Sequence, residues 1–195
     1  MSLSEPMAQG DVRLEPLAEG HRAALKAACA QDLEIWTIYS TSYAPDRFDA
    51  NFDAMRRRPD WHGFALFKGD ALVGMSSFMG VDEGRMALEI GSTYYVPAMR
   101  GTGFNRVVKD LMLGRAFSEG FRRVEFRVDA RNRRSQAALL KLGAVREGVL
   151  REDRITWNGH IRDTVLFSIL AGEWNAQPRL IAEPSLWPEM TGASS

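Results

Sequence analysis

Between Tyr94 and Leu113 the chain reads YYVPAMRGTGFNRVVKDLML, and its periodicity changes partway through. Apolar and aromatic residues lead into Pro97, and beyond Gly103 the apolar residues fall at helical spacing. Val107, Val108, Leu111, Met112, Ala116 and Phe117 share one helical face. Arg100-Gly101-Thr102-Gly103-Phe104-Asn105 therefore joins a strand to a helix N-terminus. The first helical turn leaves backbone N–H groups without partners, and the helix dipole adds partial positive charge there. Glycines permit positive φ and a close approach of backbone to a ligand. Arg100 adds a full charge on a forked set of donors. These features suit a phosphate or pyrophosphate; a tight turn with no ligand fits the glycines equally. A Walker loop does not match, because neither glycine is followed by Lys. A dinucleotide fingerprint does not match either, because Gly103 is followed by Phe104, Asn105 and Arg106 where a third glycine is needed.

Outward from this turn the order of elements emerges. DVRLEPL, with Val12 and Leu14 alternating, predicts a first strand. AEGHRAALKAACAQDLEIW predicts an alanine-rich helix reaching Trp36. Phe48, Phe52 and Met55 mark one face of a second helix, with Asp46 as its expected cap. WHGFALF, ALVGMSSFMG and MALEIGSTYYV predict three strands in an antiparallel meander. After the glycine turn and its helix, Gly120 is a stop signal. RRVEFRV is a strand, NRRSQAALLKLG a short helix closed by Gly143, and Asn158-Gly159 the turn of a final hairpin. The predicted class is mixed α/β, with a mostly antiparallel central sheet flanked by helices and one parallel strand–helix–strand unit. Residues 1–10 read as a polar tail, 11–172 as one domain, and 173–195 as an exposed tail. Trp174 and Trp187 in that tail offer docking on the body or on a second copy in a homodimer.

Composition sets limits. With 195 residues, 45% of them hydrophobic, the chain can bury a real core. Lys plus Arg and Asp plus Glu are both 25, giving a formal net charge of zero, which argues against a nucleic-acid partner. Cys29 is the only cysteine and sits among alanines, which reads as a small buried helix residue, with a reactive thiol as the alternative. His21, His62 and His160 form no i,i+4 pair, so no metal site is expected. No apolar run reaches membrane-spanning length and the polar N-terminus lacks a signal-peptide core, so the expectation is a soluble, cytoplasmic, bacterial protein.

The order of motifs resembles the GCN5-related N-acetyltransferase superfamily, and within it the ribosomal-protein N-terminal acetyltransferases. The similarity rests on Ile90-Gly91, Pro97, the glycine turn, Asn132-Arg133-Arg134-Ser135, Leu142-Gly143-Ala144 and Arg146-Glu147-Gly148, in this order. It spans VRLEPL to VLFSIL, and the sequence of motifs is more specific than any one of them. The resemblance implies a sheet splayed between the fourth and fifth predicted strands and acetyl-CoA as co-substrate. It implies that the coenzyme pyrophosphate rests on Arg100, Gly101, Thr102, Gly103, Phe104 and Asn105. The pantetheine arm would pair with backbone at Tyr94, Tyr95 and Val96, and Asn132 and Ser135 would lie near the thioester. Two departures stand out. The turn ends in Asn105 rather than Gly or Ala, so Asn105 either caps the helix or touches phosphate. The position seven residues after Asn132, where many members carry a tyrosine that protonates the leaving thiolate, is Leu139. Ser135 is the replacement the resemblance implies; as pure structure it would cap its helix.

The implied chemistry is direct attack of a primary amine on the thioester carbonyl in a ternary complex. A free α-amine with pKa ~8 costs roughly 1.4 kcal/mol to deprotonate at pH 7, and a lysine with pKa ~10.4 about 4.6 kcal/mol. A protein or peptide α-amine is thus the easier acceptor, although a small-molecule amine also fits. Glu89, on the strand leading to the acetyl site, is the first candidate for the base, with Glu152 and Asp153 behind it. The plain alternative for Glu89 is a salt-bridged strand residue. Trp36, Tyr39 and Tyr43 are candidates to line the acceptor mouth, or else to fill the core. Arg56, Arg57 and Arg58 read as a solvated helix end or a lure for an acidic acceptor, and Arg131 to Arg134 as facing coenzyme phosphates or solvent. Two other functions remain: a non-catalytic acyl-CoA-binding or protein-interaction module, and a nucleotide-dependent enzyme using the glycine turn.

Overall fold

The computed structural model describes residues 3–176. Trp187 and most of the C-terminal stretch lie outside the described residues. In chain order the elements are β1 (Met7–Gln9), β2 (Val12–Pro16), α1 (Arg22–Cys29), α2 (Phe48–Arg56), β3 (His62–Lys68), β4 (Ala71–Asp82) and β5 (Ala87–Tyr95). Then follow α3 (Phe104–Ser118), β6 (Arg123–Asp129), α4 (Arg133–Leu142), β7 (Val145–Ile155), β8 (Ile161–Leu170) and α5 (Ala171–Ala176). The described strands form one sheet in the order β1-β2-β3-β4-β5-β6-β8-β7. Every neighbouring pair is antiparallel except β5 and β6, the pair joined through α3. The expected mixed α/β layout, meander and single parallel unit are all present.

The parallel pair is short. Ala87, Leu88 and Glu89 pair with Arg123, Val124 and Glu125, and no pairing continues beyond Glu89. The edge of β5 from Ile90 onward is thereby released from β6, and a strand edge without a partner offers backbone donors and acceptors. On its other side β5 stays paired with β4, but through a bulge: Ser77 faces Gly91 and Met75 faces Tyr94. Ser92 takes up the extra residue at φ 49, in the left-handed region.

Two apolar clusters hold the helices to the sheet. Leu25 and Cys29 of α1 and Phe48, Phe52 and Met55 of α2 pack with Trp36, Tyr43, Met75 and Tyr94. Phe104, Val108, Met112, Leu113 and Ala116 of α3 join Leu139 and Leu142 of α4 and the strand residues Phe64, Phe78, Ile90, Phe126 and Phe167. Trp174 belongs to this second cluster, its ring 6.2 Å from that of Phe117, so the beginning of the expected exposed tail is docked on the body. At the other end, Met7–Gln9 pairs with β2, so the sheet starts inside the stretch expected to be a tail.

Two local expectations are corrected. The alanine-rich helix stops at Cys29 instead of reaching Trp36. Asp32 accepts a hydrogen bond from the backbone N–H of Ile35 and opens a separate 3-10 turn, Glu34–Ile38. The Trp36 indole N–H bonds back to the carbonyl of Cys29 at 3.2 Å, which fixes the fold-back. Asp46 does not cap α2: the preceding position is Arg47, with no side-chain cap. Among the described residues no helix is long and apolar enough to cross a membrane.

Candidate active site

The glycine turn forms because its backbone is left-handed twice, at Gly101 (φ 78) and Gly103 (φ 86). Gly103 is the N-cap of α3, and a Cβ built at either glycine meets nothing within 4 Å. The glycines are therefore required for conformation, and the space beside them is open. Thr102 Oγ1 donates to the carbonyl of Met99 at 2.9 Å and accepts from the N–H of Phe104 at 3.4 Å, which sets the turn. Phe104 is buried and packs edge-on against Tyr95. Arg100 is paired with Asp32 at 2.6 Å, so the fold-back after α1 orients it. Asn105 does not cap α3, since the cap is Gly103 without a side-chain bond.

A cavity of about 620 Å³ runs from this turn into the gap between β5 and β6. Arg100, Gly101, Gly103, Asn105, Asn132 and Ser135 are among the residues that line it, as are Tyr39, Tyr43, Glu89, Tyr94 and Tyr95. Of the expected site residues, Thr102, Phe104, Val96 and Trp36 do not line it. Val96 has spent its N–H on the carbonyl of Val73 at 2.8 Å, so that donor is closed to a ligand. Trp36 is 1% exposed and belongs to the core. Tyr39 donates its hydroxyl to the carbonyl of Thr93 at 2.5 Å, beside the β5 bulge. Burial pushes the Tyr43 hydroxyl up to about 12, so it stays protonated. The Tyr94 side chain points into the α1 cluster, donating to the carbonyl of Ala28 at 2.8 Å.

Asn132 caps α4, its Oδ1 accepting from the N–H of Ser135 at 3.0 Å. The cap of this helix is thus Asn132, not Ser135. Leu139, at the position where many family members carry a tyrosine, is buried and apolar. Glu89 is the last residue of β5 paired with β6, where these two strands part. Burial pushes its carboxyl above the ordinary range, and the charges of Arg127, Arg154 and Arg162 work against that shift. Arg127 lies 3.6 Å from it. Asp153 is held by Arg154 and Thr164 at 2.8 Å each and lies off the cavity, as does Glu152.

Lys109 was not anticipated. It is 5% exposed on α3, lines the cavity, and donates to Thr93 Oγ1 at 2.7 Å, while Thr93 Oγ1 and Ser76 Oγ lie 2.7 Å apart. Burial pushes its ammonium down to about 7, opposed by the charge of Glu89. The signal was present in the sequence: Lys109 stands one helical turn before Met112 and Leu113, on the buried stripe of α3. Arg127, Arg154 and Arg162 also line the cavity and were not singled out from the sequence. Among the described residues no group of His, Cys, Asp or Glu is placed to hold a metal ion.

Residues 11–145 match the model of the acetyltransferase (GNAT) domain. A solved structure of a probable acetyltransferase of the GNAT family from Chromobacterium violaceum ATCC 12472 is 30% identical, with TM-score 0.83 and 89% of each chain covered. A GCN5-related N-acetyltransferase from Brucella melitensis is 27% identical, with TM-score 0.82, covering 89% of this chain and 81% of its own. Spermidine N-acetyltransferase from Vibrio cholerae in complex with CoA and spermine, 17% identical with TM-score 0.70, covers 86% of this chain and 99% of its own and shares the fold. No curated protein sequence matches the chain. The match over residues 11–145, together with the glycine turn opening onto a split sheet, shows that the chain belongs to the GNAT acetyltransferase domain family.

Proposed function

We propose that the protein moves an acetyl group from acetyl-CoA to a primary amine by direct attack in a ternary complex. The observation that carries this reading is the single cavity joining the Gly101–Gly103 turn to Glu89 along the released edge of β5. Acetyl-CoA supplies the activated acyl group as its thioester. The turn and the N-terminus of α3 present N–H groups and partial positive charge to a pyrophosphate. The β5 edge beyond Glu89 offers strand-like pairing to an extended amide-bearing arm. Glu89, with its raised affinity for a proton, takes a proton from the incoming ammonium directly or through a water. Ser135, at the start of α4 and on the cavity wall, is the hydroxyl available to pass a proton to the departing thiolate, taking one in turn from solvent, where many family members use the tyrosine that Leu139 replaces.

The acceptor we favour is an α-amine, as in the ribosomal-protein N-terminal branch that the sequence resembles, because its deprotonation at neutral pH costs less than that of a lysine. The catalytic unit is taken as residues 11–172. Calorimetric titration with acetyl-CoA, using NAD and ATP as controls and Gly103→Trp beside the wild type, tests the coenzyme site. Selective binding of acetyl-CoA that is lost in the variant is the expected result. No binding by folded wild-type protein would overturn the reading.

The apolar Leu139 supports one competing reading, a module that binds acyl-CoA without turnover. Thiol release in the presence of an amine library separates the two, since the module would release none.

A further inference from the structure

Arg162 of β8 is 4% exposed and lines the cavity. Its Nη1 donates to Ser40 Oγ at 3.2 Å and its Nη2 to the backbone carbonyl of Arg127 at 3.0 Å. Its Nε has no hydrogen-bond partner. Both partners are neutral, and no carboxylate lies within ion-pairing distance of this guanidinium among the described residues. A buried charge without a counter-charge is costly, because its lost hydration is not replaced.

One neighbour adds to the positive charge. The β7–β8 register places Arg154 directly opposite Arg162. Like charges facing each other across an antiparallel pair repel. This pairing is created by a bulge: between Leu150↔Thr164 and Arg154↔Arg162 the β7 strand carries extra residues, with Glu152 at φ 51. Nearby carboxylates have other partners. Asp129 is bound by Arg131 at 2.8 and 3.0 Å. Asp153 is bound by Arg154 and Thr164, and Glu89 lies against Arg127. Burial, then the neighbouring Arg154, lowers the proton affinity of Arg162 from its ordinary value, opposed by the charges of Asp129, Asp153 and Glu89.

We propose that Arg162, supported by Arg154 and Arg127, is the receptor for a carboxylate carried by the acceptor amine. The buried Nε leaves one donor of this cavity-lining guanidinium unsatisfied, and a guanidinium matches a carboxylate in shape as well as charge. The acceptor then spans the cavity with its carboxylate on Arg162 and its amine toward Glu89. The substrate class is an amino acid, through its α-carboxylate, or a peptide with an acidic residue at its amino end. A polyamine brings only positive charge to this wall and is disfavoured. This inference rests on the transferase reading above and narrows its acceptor.

The test measures thiol release from acetyl-CoA by the full chain with matched acceptors. L-alanine against L-alaninamide, with rates referred to the neutral amine because the two amines differ in basicity, probes an α-carboxylate. The peptide amide Asp-Ala-Ala against Asn-Ala-Ala probes an acidic side chain, and spermidine is the polycation control. In whichever pair is used, the carboxylate form should lead its amide by on the order of 10–100-fold in kcat/KM. Arg162→Gln should bring that ratio toward one, and Arg162→Lys should restore part of it. Because Arg162 also ties down Ser40 and the Arg127 carbonyl, the more exposed Arg154→Gln is the second variant, with a smaller loss of the ratio expected. The wild-type ratios need no variant at all. Equal rates for acid and amide, or a preference for spermidine, overturn the inference and leave the transferase reading standing. If no amine releases thiol, the transferase reading fails. Calorimetry of the CoA-bound protein with L-alanine and Asp-Ala-Ala amide then decides the anion site, and absence of binding overturns it as well.

Discussion

Lys109 Nζ donates to Thr93 Oγ1 at 2.7 Å, which ties the second turn of α3 to the bulged part of β5. This buried amine should make stability depend on pH. Its affinity for a proton falls from 10.5 to about 7 on folding, chiefly through burial. Between those values the unfolded chain holds a proton that the folded chain does not. Stability therefore rises with pH through this window and is lowest below pH 7, by up to about 1.4 kcal/mol per pH unit. Lys109→Met should flatten that rise. Urea denaturation of both proteins at neutral and alkaline pH measures it, and parallel profiles would show that Lys109 is not the titrating group.

Glu89→Gln removes the proposed proton acceptor while keeping its size. The rate of acetyl transfer should fall by about 10²–10⁴. Because burial raises the Glu89 carboxyl, the wild-type rate should decline on its acid side at a pH above that of an ordinary glutamate, and the variant should lack this limb. Initial rates over a pH series check both. An unchanged rate at every pH would remove Glu89 from the mechanism.

Two glycines test whether the carboxylate must be held in place. A Cβ at Gly91 would lie 2.8 Å from Glu89 Oε1 and 2.9 Å from Met79 Sδ. Both are ends of flexible side chains, so Gly91→Ala should cost under about 1 kcal/mol of stability. Displacement of Glu89 should lower activity by roughly 10–100-fold. At Gly74 the neighbours are backbone: a Cβ would lie 2.1 Å from the Tyr94 oxygen and 2.7 Å from the Tyr95 Cα. Gly74→Ala should therefore destabilise the protein by about 3 kcal/mol. Denaturation and rate measurements on the pair should show opposite patterns.

Asn132 and Ser135 separate capping from chemistry. Asn132→Ala deletes the α4 cap and should cost about 1 kcal/mol in thermal or urea denaturation. Ser135→Ala leaves the Asn132 cap intact, because the bond uses the backbone N–H of residue 135. Its effect should appear in kcat, by on the order of 10²-fold, with stability nearly unchanged. A loss of stability without loss of rate would return Ser135 to a structural role.

The features legible from sequence are those fixed within a few residues. The glycine turn is one, because positive φ at 101 and 103 excludes most other residues. Gly120 and Gly143 ended their helices with positive φ as expected, and Gly159 turned the last hairpin. The end of α1 was not legible, because helix propensity favours continuation through the alanines, whereas Asp32 and the Trp36 indole fold the chain back. Cys29 was legible as a small buried residue, and burial leaves its thiol well above the ordinary range.

Sequence by itself determined the order of the elements from β2 to β8, the anion-suited turn and the place of Glu89 on the strand that leads to it. Each depends on period, turn chemistry or chain order, which are local. Only the tertiary structure decided that Lys109 meets Thr93, that Val96 and Trp36 do not line the cavity, and that Arg162 stands without an ion-paired carboxylate opposite Arg154. Those properties come from burial and cross-strand neighbours. Residue 162 meets residues 40, 127 and 154 only after the sheet has closed around them.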